Sequence, residues 1–428
     1  MHGAALPHTL SENKHLLCDR LILEVFMITH ENKFGMFIHW GLYSIIGRHE
    51  QALARFDMDP AEYEALAGKF NPTKYDPEEW VLLAKRAGMK YICFTAKHHD
   101  GFCMWDTKET DYNIMNTPYG KDVLRELAEA CEKHGMLLSL YYSNPDWHHP
   151  SSYNPASSHQ WKAKNRGCAD GGELEKYKEF VKAQVTELLT GYGRIYTFFW
   201  DIPPKVHDPS MNELVRSLQP GIFINDRGWS EGDFSTPERD FEAMAAKPFT
   251  RMTEACNSVG QQSWGYRANE DFYSMRYLCS AIDRYMALGA SYLLNVGPNE
   301  LGEIPEDYKK RIETVGAWYT RMEGCLESSD TDSFDYEIKA NPYIATRKNG
   351  KTYLHFYDGL ISDAVALRKY PSKPKSVRLM NTGEPLNFEM VYLPDSFEEG
   401  VYPESLHIYG IDVDGLENRP IVIEIEWS

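Results

Sequence analysis

From residue 33 to about residue 325, short strand-like runs alternate with amphipathic helical patterns, and no other feature of the chain restricts its fold as strongly. FGMFIHW (34–40), KYICFTA (90–96), MLLSLYYS (136–143), RIYTFFWD (194–201), IFIND (222–226) and SYLLNVG (291–297) read as buried strands. Between them, residues 76–89, 122–135, 174–193, 211–221 and 273–290 carry helical periodicity. Asp76 suits a helix N-cap, Pro77 the first turn, and Gly88 and Gly135 the residues just past a last turn. A repeating strand–helix–strand order is the mark of parallel β/α architecture. Its length and count fit a (β/α)8-like TIM barrel, with room for one missing or irregular helix.

After Trp318 the pattern changes to short alternating runs such as YIATRKNGKTYLHFY and PIVIEIEW, with NGK (349–351) as a hairpin turn. The expectation is a catalytic barrel over residues 1–328, with a short N-terminal extension, followed by an antiparallel β-sandwich over 329–428.

Polar residues recur where the barrel strands end. His39 and Trp40 close the first strand; His98 and His99 follow the second. Tyr142 and Asn144 follow the third, Asp201 the fourth, Asn225, Asp226 and Arg227 the fifth, and Asn295 closes a later one. In TIM barrels the C-terminal strand ends build the active site, so repetition at five or six ends points to a pocket there. The run KHHDGFCMW (97–105) adds two adjacent histidines and Trp105, with Gly101 to permit an irregular backbone, a composition suited to a polyol.

Hydrolysis of a glycoside needs two carboxyl groups. Asp201 is the candidate nucleophile: it ends the apolar run Phe198–Phe199–Trp200, and a carboxylate there needs donors, which His39, His98, His99 and Arg227 could supply. Glu254 and Glu238 are both candidates for the proton donor, and spacing along the chain does not choose between them. A metal site built from His39, His98, His99 and Asp201 is the competing reading. The chain holds no HxH or HExxH pattern, which favours histidines that bind hydroxyls and no metal.

The formal charge is −18, from 45 Lys and Arg against 63 Asp and Glu. That balance argues against nucleic acid and anionic membrane as partners. No run of eighteen apolar residues occurs, so no membrane-spanning helix is expected. Cys18, Cys93, Cys103, Cys131, Cys168, Cys256, Cys279 and Cys325 form no CxxC pair. They suit reduced thiols, and the N-terminal residues lack a signal-peptide pattern; a cytoplasmic location is the expectation.

Together these residues resemble the α-L-fucosidases of glycoside hydrolase family 29. The matching segments are KFGMFIHWGLYS (33–44), residues 70–108, LYYSNPDW (140–147), WDIPP around Asp201, INDRG (224–228), DFSTPE (233–238), TEACNSVGQQSWGY (253–266) and YLLNVGPNELGEIP (292–305). The resemblance implies a retaining double displacement on fucosylated oligosaccharides or glycoconjugates, without cofactor. It implies Asp201 as nucleophile, Glu254 ahead of Glu238 as acid/base, and His39, His98, His99 and Tyr142 around the fucose hydroxyls. Trp264 would face the fucose methyl group, and Trp40 and Arg227 complete the expected substrate-binding set. Self-association is left open. Three positions depart from the family pattern, which has tryptophan where this chain has Gln51, Phe199 and Thr253. An α-L-galactosidase-like enzyme and a non-catalytic fucose-binding protein are the alternatives.

Overall fold

A computed structural model describes residues 32–152, 173–204, 206–239, 247–327, 330–338, 341–392, 404–416 and 419–428. The N-terminal extension, with Cys18, and the region of Cys168 lie outside the described residues.

The barrel consists of β1 (Phe34–Ile38), α1 (Pro77–Arg86), β2 (Tyr91–Lys97), α2 (Val123–His134), β3 (Leu137–Ser143), α3 (Leu174–Gly191), β4 (Ile195–Asp201), α4 (Pro209–Leu218), β5 (Phe223–Ile224), β6 (Glu254–Ser258), α5 (Met275–Ala287), β7 (Ser291–Val296) and α6 (Glu306–Leu326). The helices start where the sequence offers caps. Asp76, Asp122, Asp208 and Ser274 each accept a backbone N–H of the first turn, and each such cap contributes about 1 kcal/mol. Gly135 closes α2 in the left-handed conformation, φ 62°.

All seven strands are parallel, in the order β5-β4-β3-β2-β1-β7-β6. The ends of that order, β5 and β6, do not pair with each other. Residues 234–238 run between them as an irregular eighth stave. Its parallel bridges are Asn225 to Phe234 on one side, and Ser235 to Thr253 and Glu238 to Cys256 on the other. The backbone bonds Asp226 N–H to Phe234 O (2.9 Å), Glu254 N–H to Ser235 O (2.8 Å) and Cys256 N–H to Pro237 O (3.0 Å) close the ring. The expected barrel is therefore present, and its irregularity lies in this eighth stave. The strands are buried along nearly their whole length, as a sheet covered by helices on one face and filled by its own side chains on the other must be.

Beyond Leu326 the chain turns antiparallel. One sheet has the order β12 (Pro374–Leu379), β15 (Ile421–Trp427), β10 (Lys351–Phe356), β9 (Ile344–Lys348), β8 (Asp330–Thr331); the other has β11 (Ala364–Leu367), β14 (Glu404–Tyr409), β13 (Asn387–Tyr392). Leu354, Phe356, Ile423 and Ile425 of the first sheet and Val365, Leu367, Leu406 and Ile408 of the second share one core, which makes the pair a β-sandwich. Asn349 and Gly350, at φ 52° and 78°, form the β9–β10 hairpin turn. A fully buried Asp283–His355 contact of 2.9 Å ties α5 to β10.

Candidate active site

The C-terminal strand ends converge on a pocket lined by Phe37, His39, Glu50, Gln51, His98, His99, Tyr141, Phe199, Asp201, Ile202, Arg227, Glu238, Cys256 and Trp264, with a cavity volume of about 70 Å3. Side-chain alternation along each strand decides which of two neighbours enters it. In β1 the inward series is Phe37 and His39. Trp40 points out, packs on Phe70, Tyr75 and Trp80, and donates its indole N–H to Asn299 O at 2.9 Å. In β3 the inward residue is Tyr141. Tyr142 points out and donates its hydroxyl to Gln184 of α3 at 2.7 Å. The expected roles of Trp40 and Tyr142 at the substrate are therefore corrected, and Tyr141 takes the place given to Tyr142.

Asp201 ends β4 with 8% of its surface exposed. Its Oδ2 accepts the Tyr141 hydroxyl at 2.7 Å and lies 3.7 Å from His99 Nε2; its Oδ1 accepts Arg227 Nη1 at 2.9 Å. Burial alone would raise the proton affinity of this carboxyl. Arg227, then His99 and the tyrosine hydroxyl, outweigh it and hold Asp201 below the usual carboxylate range. The next residue, Ile202, sits at φ 57°, a strained conformation for a β-branched side chain. Asn144 Nδ2 braces it by donating to Ile202 O at 3.1 Å and to Arg227 O at 3.0 Å.

Arg227 reaches two carboxylates. Its Nη2 donates to Glu238 Oε2 at 2.8 Å and to Thr236 O at 3.2 Å. Glu238, at the end of the eighth stave, keeps 37% of its side chain exposed against 12% for Asp201. One guanidinium thus fixes a buried carboxylate and an accessible one on the same pocket wall. This is compatible with the carboxyl separation of about 5–5.5 Å that retaining glycosidases use.

Glu254 is not in this pocket. It is the first residue of β6, so it points into the barrel at the N-terminal end, where its Oε2 accepts the Tyr91 hydroxyl at 2.6 Å. It lines a separate cavity with Lys33, Tyr196, Phe249 and Thr253. Room for the Tyr91 ring comes from Gly35, where a Cβ would stand 2.5 Å from that ring. Burial pushes the Glu254 carboxyl up to about 7. The expectation that Glu254 is the acid/base is overturned by its place at the wrong end of a strand. The departure at Thr253 is likewise remote from the pocket, while Gln51 and Phe199 do line it.

Three histidines crowd one side. His39 Nδ1 bonds Asn295 Oδ1 at 2.7 Å; His99 Nδ1 bonds Ser143 Oγ at 2.6 Å. His98 stacks on Tyr141 with centroids 5.7 Å apart, and its buried Nδ1 has no protein partner. Burial lowers His39 and His99 to about 4 and His98 well below its ordinary value. At neutral pH each ring is therefore uncharged, with one donor and one acceptor, which suits sugar hydroxyls. Gly101, at φ 81°, turns the chain out of this loop; a Cβ there would stand 2.2 Å from Asp146 Oδ1. Asp146 in turn pairs with buried Lys97 at 3.0 Å.

Trp264 extends this wall, its ring stacked 5.2 Å from that of His39. Its backbone N–H and the Ser263 hydroxyl donate to Glu50 Oε2, both at 2.9 Å. Sequence reasoning missed Glu50, Tyr141 and Cys256. Tyr141 was legible in principle, because it lies two residues before Ser143, the end of β3 that bonds the pocket's His99.

The comparisons with known proteins agree with this geometry. A family model described as Alpha-L-fucosidase matches residues 25–323. The chain belongs to the alpha-L-fucosidase family. It is 25% identical to the tissue alpha-L-fucosidase of Rattus norvegicus, over 94% of this chain and 92% of that one. It is 26% identical to the tissue alpha-L-fucosidase of Homo sapiens, over 76% and 74%. Alpha-L-fucosidase isoenzyme 1 from Paenibacillus thiaminolyticus superposes with a TM-score of 0.80 at 30% identity, covering 95% of this chain and 99% of the other. A Thermotoga maritima alpha-fucosidase structure in complex with fucose gives 0.74 at 25% identity, covering 93% and 96%. The fucosidase match spans the barrel, where all the pocket residues lie.

Proposed function

We propose that this protein is a retaining exo-α-L-fucosidase acting on fucosylated oligosaccharides or glycoconjugates. Asp201 is its nucleophile and Glu238 its acid/base. The observation that carries the reading is the Arg227 guanidinium, shared by Asp201 and Glu238 at the C-terminal strand ends.

In the first step an Asp201 oxygen attacks the anomeric carbon. The bond to the leaving sugar breaks with its electron pair, and Glu238 gives its proton to the departing oxygen. In the second, Glu238 takes a proton from water as that water attacks the same carbon, and Asp201 departs as a carboxylate. Arg227 stabilises Asp201 as an anion. His98 and His99 bind ring hydroxyls, with Tyr141 and His39 beside them. Trp264 and Phe37 offer an apolar wall to the methyl group, which distinguishes an α-L-fucoside from an α-L-galactoside that carries a hydroxyl there.

The test is hydrolysis of an aryl α-L-fucoside and its α-L-galactoside counterpart, with a 2-fluoro-fucosyl fluoride to trap the intermediate. The expected result is faster cleavage of the fucoside and a fluorofucosyl adduct on the peptide that contains Asp201. An adduct elsewhere, or faster galactoside cleavage, would overturn the assignment.

A further inference from the structure

Three guanidiniums, those of Arg55, Arg239 and Arg267, stand near the outer lip of the pocket, beside the carboxylates of Glu50 and Glu238 that line it. Arg239 follows Glu238 directly, and its guanidinium lies 4.6 Å over the Trp264 ring. It is held there by a backbone at φ 52° and by its N–H bond to Cys256 O at 3.1 Å. A left-handed conformation costs free energy for a non-glycine residue and persists only where the surroundings enforce it. Arg55 donates through Nε to Oε1 of Gln51, the pocket residue, at 2.9 Å. Among the described residues, neither Arg55 nor Arg239 has a carboxylate partner. Arg267 completes the lip, and its contact with Asp271 is a long 3.4 Å. Burial lowers the proton affinity of His49 against the pull of Glu50, and the guanidiniums of Arg55, Arg239 and Arg267 add to the lowering. The local carboxylate of Glu238 is already engaged by Arg227.

The proton donor of a glycosidase stands on the leaving-group side of the scissile bond. Glu238 lines the pocket together with Trp264 and Gln51, the residues that Arg239 and Arg55 contact. With a formal charge of −18 on the whole chain, long-range attraction does not gather anions here. Attraction is confined to groups that reach the lip.

We infer that Arg55, Arg239 and Arg267 form a leaving-group subsite for a sugar that bears an oxyanion, a carboxylate or a sulfate ester, next to the fucosyl unit. This rests on the fucosidase reading of the pocket, and the two are separable by experiment. A neutral aryl α-L-fucoside reports the pocket alone. The lip is read from matched fucosyl disaccharides: the neutral parent, its 6-O-sulfate and its 6-carboxylate on the sugar next to fucose, in whichever linkage the parent is cut fastest. The expected result is a kcat/KM about tenfold higher for an anionic form than for the parent at low salt, falling towards parity at about 1 M salt, where the screening length is about 3 Å. The sulfate and carboxylate arms decide which oxyanion is preferred. Arg55→Gln and Arg239→Gln should each bring the anionic-to-neutral ratio towards one, whatever they do to the neutral rate. Arg321→Gln, on the exposed side of α6, should leave the ratio alone. Equal rates for neutral and anionic forms, a ratio indifferent to both lip variants, or disaccharides left uncut while the aryl fucoside is hydrolysed would each overturn the inference. Loss of aryl fucoside hydrolysis itself would instead overturn the reading on which it rests.

Discussion

The two ends of the barrel each hold a buried carboxyl bonded to a tyrosine hydroxyl, and they behave in opposite ways. At the C-terminal end, Asp201 meets Tyr141 at 2.7 Å and also Arg227 and His99, and it is held ionised. At the N-terminal end, Glu254 meets Tyr91 at 2.6 Å and, among the described residues, no cation, and burial pushes it up to about 7. The difference is one guanidinium. In a low-dielectric interior an ionised carboxyl needs an opposite charge, and without one it takes up a proton. A perturbed carboxyl is therefore a weak guide to catalysis by itself. Glu254 shows a clear upward shift, yet it sits where barrels carry stability rather than chemistry.

The sharpest way to break this comparison is to remove the carboxyl on each side. Asp201→Gly should abolish aryl α-L-fucoside hydrolysis, on the order of 10^4-fold or more in kcat, as loss of a covalent nucleophile does. Circular dichroism should show the fold retained. Glu238→Ala should lower kcat by about 10^2 to 10^4-fold, least for the best leaving groups, and azide should restore turnover as a glycosyl azide. Glu254→Ala should show neither the loss nor the rescue. If the azide product came from the Glu254 variant instead, the assignment of the two ends would be reversed. Arg227→Lys comes next, at about 10^2-fold in kcat/KM, because a single ammonium does not span two carboxylates in the fixed geometry of a guanidinium.

Much of this architecture was legible in the sequence. The helix caps, the apolar strands and the Asn349–Gly350 hairpin follow from local chemistry, and they appear as expected. What failed was the choice between neighbours. Tyr141 and Tyr142 are both fully buried, one against Asp201 and the other beneath α3, so composition does not separate them; phase along the strand does. The error at Glu254 has a different origin. Glu-Ala-Cys-Asn-Ser carries no apolar run, so local pattern marks no strand there and does not tell which end of the barrel Glu254 occupies. Its partner in the barrel wall, residues 234–238, is irregular too, and it is this stave that delivers Glu238 to the pocket. Long-range pairing, invisible to local pattern, decided which glutamate reached which end.

The smallest expected effect sharpens the comparison from the stability side. Glu254 has a folded-state value of about 7 against an ordinary 4.5, so the folded protein holds this proton more tightly than the unfolded chain. The stabilisation is complete below about 4.5 and is lost as pH rises through about 7, to a total of about 3 kcal/mol. Glu254→Gln copies the protonated form, and its amide oxygen still accepts the Tyr91 hydroxyl. The variant should therefore melt like the wild type near pH 4.5 and a few °C above it at pH 8, with fucoside hydrolysis within about threefold of wild type. A melting difference independent of pH would mean that Glu254 stays ionised in the folded barrel. The two carboxyls would then differ in position but not in charge.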